Sequence, residues 1–432
     1  MNHTLKSFIK YVSLNVCGML GLSFYILADT FFVSKALGSN GLTALNFCIS
    51  IYSVIQGFGL MIGIGGATRY NILKTSKNHV DANAVYGHSL SFGAFTGILF
   101  FVAGLFFSRS LAGLLGADAV TLPLADVYLK TIMCFGPFFI INNVMLAFVR
   151  NDGNPRLSMI AMLASSFSNV ALDYVFMFPM SMGMFGAAFA TGLSPIISLF
   201  VLSLHFLRKK NKFSLCPFKL SLRKIGDIAS LGTSAFIGEL SSAVVLITFN
   251  LAILKIEGNT GVAAYGVVAN IALIAVAVLT GVAQGIQPLA SQGYGCGDKR
   301  MVRQIIRYAA VTVLILACTI YSIIFFGSSS IISIFNSEGN EVLSMLAERG
   351  IKIYFVGFFF AGINIIAAAL LSAVADAKKA FLISILRSCV LIVPMVLVLS
   401  AALKMDGIWL SFVLTEFVVF ALSVLFLSGC QK

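Results

Sequence analysis

The chain has 432 residues, of which 59% are hydrophobic and only 10% charged, against about 25% charged in an ordinary soluble domain. So little polar surface excludes a soluble enzyme, a nucleic-acid reader and a disordered protein. The net charge of +13 then reads as loop charge on one side of a membrane rather than a nucleic-acid patch. Composition alone predicts an all-α integral membrane protein.

The chain opens with MNHTLKSFIK, which is basic and runs into apolar sequence. It lacks the short apolar core and small-residue cleavage site of a signal peptide, so it reads as an uncleaved first helix. A membrane helix needs about 20 mostly apolar residues. Such runs predict twelve transmembrane helices at 11–34, 43–68, 86–108, 124–149, 156–178, 184–207, 229–254, 261–287, 304–326, 345–373, 380–402 and 407–428. With that count, 21 of the 29 Lys and Arg fall on the side of the N-terminus, and only Lys35, Arg109, Lys255 and Lys404 fall in the opposite loops. The positive-inside rule places both termini in the cytoplasm of a cell carrying this multi-pass protein in its plasma membrane. The eight Cys are scattered without a CxxC pair, and read as packing residues.

The basic loop 208–228 lies at the centre of the chain. It divides an N-terminal lobe, 1–207, from a C-terminal lobe, 229–432, each with six spans. NVMLAFVRNDGNPRLSMI (143–160) and AAALLSAVADAKKAFLISI (367–385) are weakly alike and fall at matching places. Six is even, so the halves enter the membrane in the same sense. The expectation is two pseudo-symmetric six-helix bundles around a central cavity, the plan of a secondary transporter.

A charge at mid-membrane costs at least about 2.5–3.5 kcal/mol, so each one is a functional candidate. Asp29 lies in span 1 and Asp173 in span 5, each about five residues from the outer end of its span. At ~1.5 Å rise per residue they share a depth. Asn169 precedes Asp173 by one turn and shares its face, Ser165 extends the stripe, and Thr191 of span 6 lies at a comparable depth. Alone, Asn169 and Thr191 would read as structural hydrogen bonding; with the acids they form a set of hard oxygen ligands for H+ or Na+. Glu239 lies near the midplane in span 7, with Asn250 three turns further on. Asn142, Asn143 and Gln284 join them as candidate cavity residues, with interhelical bonding as the plainer alternative. Glu416 looks isolated, and Arg387 reads as a residue that snorkels. No GxxxxGK[ST] loop, HExxH, GxSxG or Cys/His cluster occurs, which argues against ATP as energy source and against an enzyme.

Five segments together resemble the multidrug and toxic compound extrusion (MATE) family: YILADTFFV (25–33), RNDGNP (150–155), SNVALDYVFMF (168–178), MGMFGAAFAT (182–191) and GVAQGIQPLASQGYG (281–295). With the acid in AFIGELSSA (235–243), the likeness is to bacterial exporters of cationic drugs. The resemblance implies two V-arranged lobes with alternating access, driven by protons or sodium and needing no other cofactor. It implies that Asp29, Asn169, Asp173 and Thr191 form the cation site. Some relatives carry a further acid in span 10, where this chain has only Glu348 beside Arg349 and Lys352. The expected function is antiport of amphipathic cationic compounds by a monomer that binds membrane lipid and no nucleic acid. The alternative is a lipid-linked oligosaccharide flippase of the same superfamily, whose pyrophosphate cargo would want Lys or Arg in the cavity. A major-facilitator carrier would show a D-R-x-G-R-type loop after span 2, and RYNILKTSKNHVD (69–81) has none.

Overall fold

The computed structural model describes residues 3–76, 78–335 and 340–430. All its regular elements among these are helical. In order they are α1 (His3–Thr75), α2 (His79–Leu114), α3 (Leu122–Cys134), α4 (Gly136–Asn151), α5 (Pro155–Met177) and α6 (Gly183–Leu207). The second half has α7 (Leu222–Gly295), α8 (Lys299–Phe335), α9 (Glu341–Tyr354), α10 (Gly357–Ala373), α11 (Ala377–Ile385), a π turn (Leu386–Val390) and α12 (Ile392–Cys430). Lipid offers no partner to backbone N–H and C=O groups, and helices satisfy them internally.

α1, α7 and α12 are each two helices joined at a sharp break, at Gly38 (φ 65°), Gly258 (φ 61°) and Lys404 (φ 52°). Contacts prove the first two reversals. The hydroxyls of Tyr25 and Tyr52 lie 2.8 Å apart, although 27 residues of straight helix would separate them by about 40 Å. Phe249 stacks on Tyr265 at 5.1 Å across Gly258. A glycine follows each break by three residues (Gly41, Gly261, Gly407), where a Cβ would run into the preceding turn. Two spans bend instead of reversing. α3 and α4 meet at 48°, where Pro137 cannot donate to the preceding turn, and α9 and α10 meet at 49° ahead of Gly357. Counting each bent pair once, each reversed helix twice, and α11 with the π turn and the first limb of α12 as one span gives the twelve spans, numbered 1–12 below.

The halves repeat these landmarks at a near-constant spacing. The reversals Gly38 and Gly258 are 220 residues apart. The bends before Gly136 and Gly357 follow at 221. Asn154 and Asp376, each accepting from the backbone N–H three residues on, open spans 5 and 11 at 222. There are two hydrophobic cores, one per half. Phe8 and Val12 of span 1 cross into the C-terminal core, and Ile228 of span 7 crosses into the N-terminal one.

Span 7 begins at Leu222, seven residues before the apolar run that marks it in sequence, because its first two turns are polar and lie beyond the apolar layer. The segment between α6 and α7 is fastened to the N-terminal half. Phe213 is fully buried among Tyr86, Phe148 and Phe206. Beside it, Asp152 accepts from Lys74 Nζ (2.7 Å), the Lys212 backbone N–H (2.7 Å) and His205 Nε2 (3.0 Å). Burial alone would raise the Asp152 pKa, but these bonds outweigh it and hold the carboxyl below its usual range.

Two outcomes follow from this geometry. Lys404 adopts a turn that its two counterparts build with glycine, so Lys404→Gly should stabilise the protein by about 1 kcal/mol, seen as a higher thermal midpoint in detergent. Asp152→Asn should cost about 2 kcal/mol and should flatten the acid side of the stability–pH curve. The Asp152 contribution is full above the unfolded carboxyl value near ~4 and is lost as pH falls through the lowered folded value. An unaltered acid limb in the variant would contradict this role.

Candidate functional site

The two halves meet on the face that carries the basic loops. Residues 61–68 of span 2 and 281–291 of span 8 are buried on every side, while nearer the opposite face both spans are buried on only part of their circumference. Glycine permits the approach. A Cβ at Gly65 would strike the Ile228 carbonyl, one at Gly232 the Met61 backbone, and those at Gly281 and Gly285 the backbone of Val16 and Val12. Small residues let membrane helices pack backbone to backbone in this way.

Polar bonds lock the same seam. Arg150 is buried at the end of span 4, and its Nη1 donates to Asn15 Oδ1 and to Gln284 Oε1, both at 2.8 Å. Asn71 Nδ2 donates to Ser291 Oγ and to the Pro288 carbonyl, also at 2.8 Å. The deepest described part of the seam is Phe236, whose ring lies 5.0 Å from Phe58 and against Gly57. Glu239 follows it by one turn on span 7 and is half-buried.

The N-terminal acids occupy a closed pocket within their own half. Asp173 and Asn169 are fully buried, Thr191 is 4% exposed and Asp29 7% exposed. Asp29 and Asp173 are within electrostatic reach of one another, and Tyr128 of α3 is within reach of both. The Asn169 amide fits best with Nδ2 donating to Asp173 Oδ2 (3.1 Å) and its oxygen accepting from the Thr191 N–H (3.3 Å). In the other orientation Nδ2 donates to Thr191 Oγ1 at 3.4 Å. Asp29 Oδ1 and Asp173 Oδ1 are buried without a hydrogen-bond partner. An unsatisfied buried carboxylate oxygen is costly, and a proton or small cation removes the cost. Among the described residues no cluster of three His, Cys, Asp or Glu could hold a metal ion.

A separate hydrogen-bonded chain lies beside this pocket. The Tyr25–Tyr52 pair continues to Gln56, whose Nε2 donates to Tyr52 Oη at 2.7 Å, and Asn143 Nδ2 donates to Gln56 Oε1 at 2.6 Å. Tyr52 is within electrostatic reach of both Asp29 and Glu239.

The C-terminal half carries its buried acid differently. Glu416 is not isolated. Its Oε1 accepts from Arg387 Nη2 (2.7 Å) and Nε (3.1 Å), and its Oε2 accepts from Asn364 Nδ2 (2.7 Å). Ser423 Oγ donates to Asn364 Oδ1 at 2.7 Å. Arg387 sits in the π turn, which aims it at span 12, so it pairs inside the half instead of snorkelling.

The structure therefore gathers Asp29, Asn169, Asp173 and Thr191 in one pocket. Glu239, Asn142 and Asn143 are half-buried, Asn143 in the chain to Tyr52 and Asn142 with an unpartnered buried oxygen. Asn250 is half-buried on span 7. Gln284 lies in the closed seam rather than facing an open cavity. Reading for charge missed Tyr25, Tyr52, Gln56, Tyr128 and Arg150. Two of them left a signal: Tyr25 precedes Asp29 by one turn, and Gln56 is a lone amide in the apolar run IYSVIQGFGLMIG.

Twelve spans in two similar halves, with unpartnered buried acids in one half and a closed seam at one face, are the plan of a membrane transporter. The MatE family model matches residues 16–175 and 235–398, and the chain belongs to that family. Its members are transporters, so the chain is a carrier and not an enzyme. It is 27% identical over 394 residues to the "Multidrug export protein MepA" of Staphylococcus saprophyticus, covering 91% of this chain and 86% of that one. The namesake from Staphylococcus aureus is 23% identical over the same shares. Among solved structures, one described as the outward-facing conformation of a multidrug resistance MATE family transporter superposes with a TM-score of 0.93 at 21% identity, over 100% of this chain and 97% of that one. A MOP superfamily transporter from Pyrococcus furiosus gives 0.91 at 21% identity and the same coverage.

The seam predicts its own sensitivity. Gly232→Ala should push the halves apart at the basic face, at a cost of about 1–3 kcal/mol to the closed state. Spin labels on Ser76 and Arg223 in a cysteine-free background should then show a longer distance population. A distribution identical to the parent would show that this contact does not hold the seam.

Proposed function

We propose that the chain is a secondary active multidrug exporter that exchanges amphipathic cationic compounds for protons by alternating access in the plasma membrane. The observation that carries this reading is the pair of unpartnered carboxylate oxygens, Asp29 Oδ1 and Asp173 Oδ1, in a closed pocket. The names of the staphylococcal relatives support it. On this reading Asp29, Asn169, Asp173 and Thr191 are the coupling site. Glu239, Asn142, Asn143 and Asn250 line the cargo space, and Gln284 joins them once the seam opens.

The pocket suits a proton better than Na+. An alkali ion wants several oxygen ligands, but the Asn169 oxygen is taken by the Thr191 N–H and its nitrogen faces Asp173. A proton needs only one carboxylate oxygen. Protonation must stabilise one access state more than the other, or it drives nothing. Both termini and the 208–228 linker are assigned to the cytoplasm, which makes the observed state outward-open. The lobes are 1–207 and 229–432, the working unit is a monomer, and no cofactor besides the coupling ion takes part. A flippase for lipid-linked oligosaccharide fits less well, because the charge that follows the seam on span 7 is the acidic Glu239.

Proteoliposomes under an imposed pH gradient should export ethidium, and Asp173→Asn should reduce that export to background while the variant stays folded. Export under a sodium gradient alone would replace the proton in this scheme. Full export by the variant would remove Asp173 from the coupling site.

A further inference from the structure

The segment 208–224 between α6 and α7 holds seven Lys and Arg and no Asp or Glu. Lys224 pairs with Asp81 at 2.8 Å. Arg208, Lys209, Lys210, Lys212, Lys219 and Arg223 are exposed, and among the described residues none has a carboxylate within ion-pair distance. Positive charge on this side of the membrane follows from the topology alone. Exposed leucines among the charges do not. Leu215 is 66% exposed, Leu220 64% and Leu222 82%, while Phe213 and Phe218 between and before them pack inwards.

Contacts hold the segment against span 3. The Ser214 N–H donates to Asn83 Oδ1 at 3.2 Å, and the Ser221 N–H donates to His88 Nε2 at 3.1 Å. The Phe218 ring lies 4.6 Å from the His88 ring and covers Gly87, where a Cβ would strike it. Residues 218–221 therefore rest on the turn where the apolar run of span 3 begins. Phe95 is seven residues beyond His88 and Ile98 eleven beyond Gly87, so each continues the face that the linker covers. Both are exposed, at 62% and 56%, and at that depth an exposed side chain meets lipid. The linker thus lies in the headgroup layer, over the lipid that borders span 3.

We propose that 208–224 is a docking surface for anionic phospholipid of the same membrane. The unpaired Lys and Arg hold headgroup phosphates, and Leu215, Leu220 and Leu222 enter the boundary of the acyl chains. Basic and apolar side chains in one short segment give such a surface both charge attraction and apolar burial. Lipid fits this face better than a second copy of the chain does. A two-fold contact would bring the same basic segment of each copy together, and like charges repel. The docking goes beyond the exchange reaction and does not depend on which ion drives it.

The test uses the full chain with Cys216, which is exposed, kept as the one cysteine and labelled with an environment-sensitive dye. Single copies are placed in nanodiscs of phosphatidylcholine alone or of an equal mixture with phosphatidylglycerol. All discs carry a lipid with a nitroxide near the top of its acyl chain. Quenching of the dye should be several-fold stronger in the mixed discs, and added salt should weaken it. Lys219→Gln with Arg223→Gln should cut the phosphatidylglycerol preference several-fold. Leu220→Ser with Leu222→Ser should lower quenching in both kinds of disc. All four side chains are exposed, so these changes leave the packed interior alone. Equal quenching in the two kinds of disc would overturn recognition of the anionic headgroup. An unchanged preference in the Gln variant would assign it to other basic loops and overturn the proposal too. So would no quenching in either disc, since the segment would then stand clear of the bilayer. Shielding of the dye only in discs with two copies would make this face an interface between copies instead.

Discussion

The structure depends on one contact, the backbone-to-backbone meeting of spans 2 and 7 at Gly65 and Gly232, repeated where span 1 meets span 8 at Gly281 and Gly285. Lipid tails give apolar helices little reason to prefer each other over lipid, so association relies on close packing and on polar bonds. The seam has both. Arg150 adds a buried cation whose two described acceptors sit on different halves. A guanidinium in this setting is tolerated only while those acceptors stay in place. Opening the seam must therefore break several contacts together, which makes the closed face a discrete state rather than a soft one.

Closure at one face also decides what the buried acids can do. Phe236 packs on Gly57 and Phe58 across the seam, and Glu239 follows it by one turn, half-buried. Asp29 and Asp173 lie inside the N-terminal bundle. The Tyr25–Tyr52–Gln56–Asn143 chain runs beside them without a hydrogen bond to either acid.

Much of this was legible in the sequence for a physical reason. The apolar period and the Lys/Arg asymmetry report burial in lipid, and lipid acts on every span alike. The shared depth of Asp29 and Asp173 followed from counting helical rise on two spans running the same way. Lateral neighbours were not legible. Gln284 reads as a cavity residue because it is polar and intramembrane, yet its partner Arg150 comes from the other half, 134 residues away in sequence. Glu416 looks isolated for the same reason, since Arg387 reaches it only because a π turn rotates that residue out of register. The tyrosines were passed over because a phenol carries no formal charge. The reversals at Gly38 and Gly258 were readable as G-x-x-G, but the third, at Lys404, breaks the pattern.

The two halves repeat in backbone but not in charge. Glu416 receives its counter-charge from Arg387 and its remaining bonds from Asn364, so its ionisation is compensated within the C-terminal half. Asp29 and Asp173 have no such cation among their described partners, and each keeps a bare oxygen. The N-terminal pocket therefore offers unoccupied carboxylate oxygens, whereas both Glu416 oxygens already accept hydrogen bonds. Duplication supplied two bundles of the same shape. Different residues on spans 1, 5, 11 and 12 left one with bare carboxylate oxygens and the other with a paired acid. On the proposed reading, that inequality is what would let a bound proton favour one access state over the other.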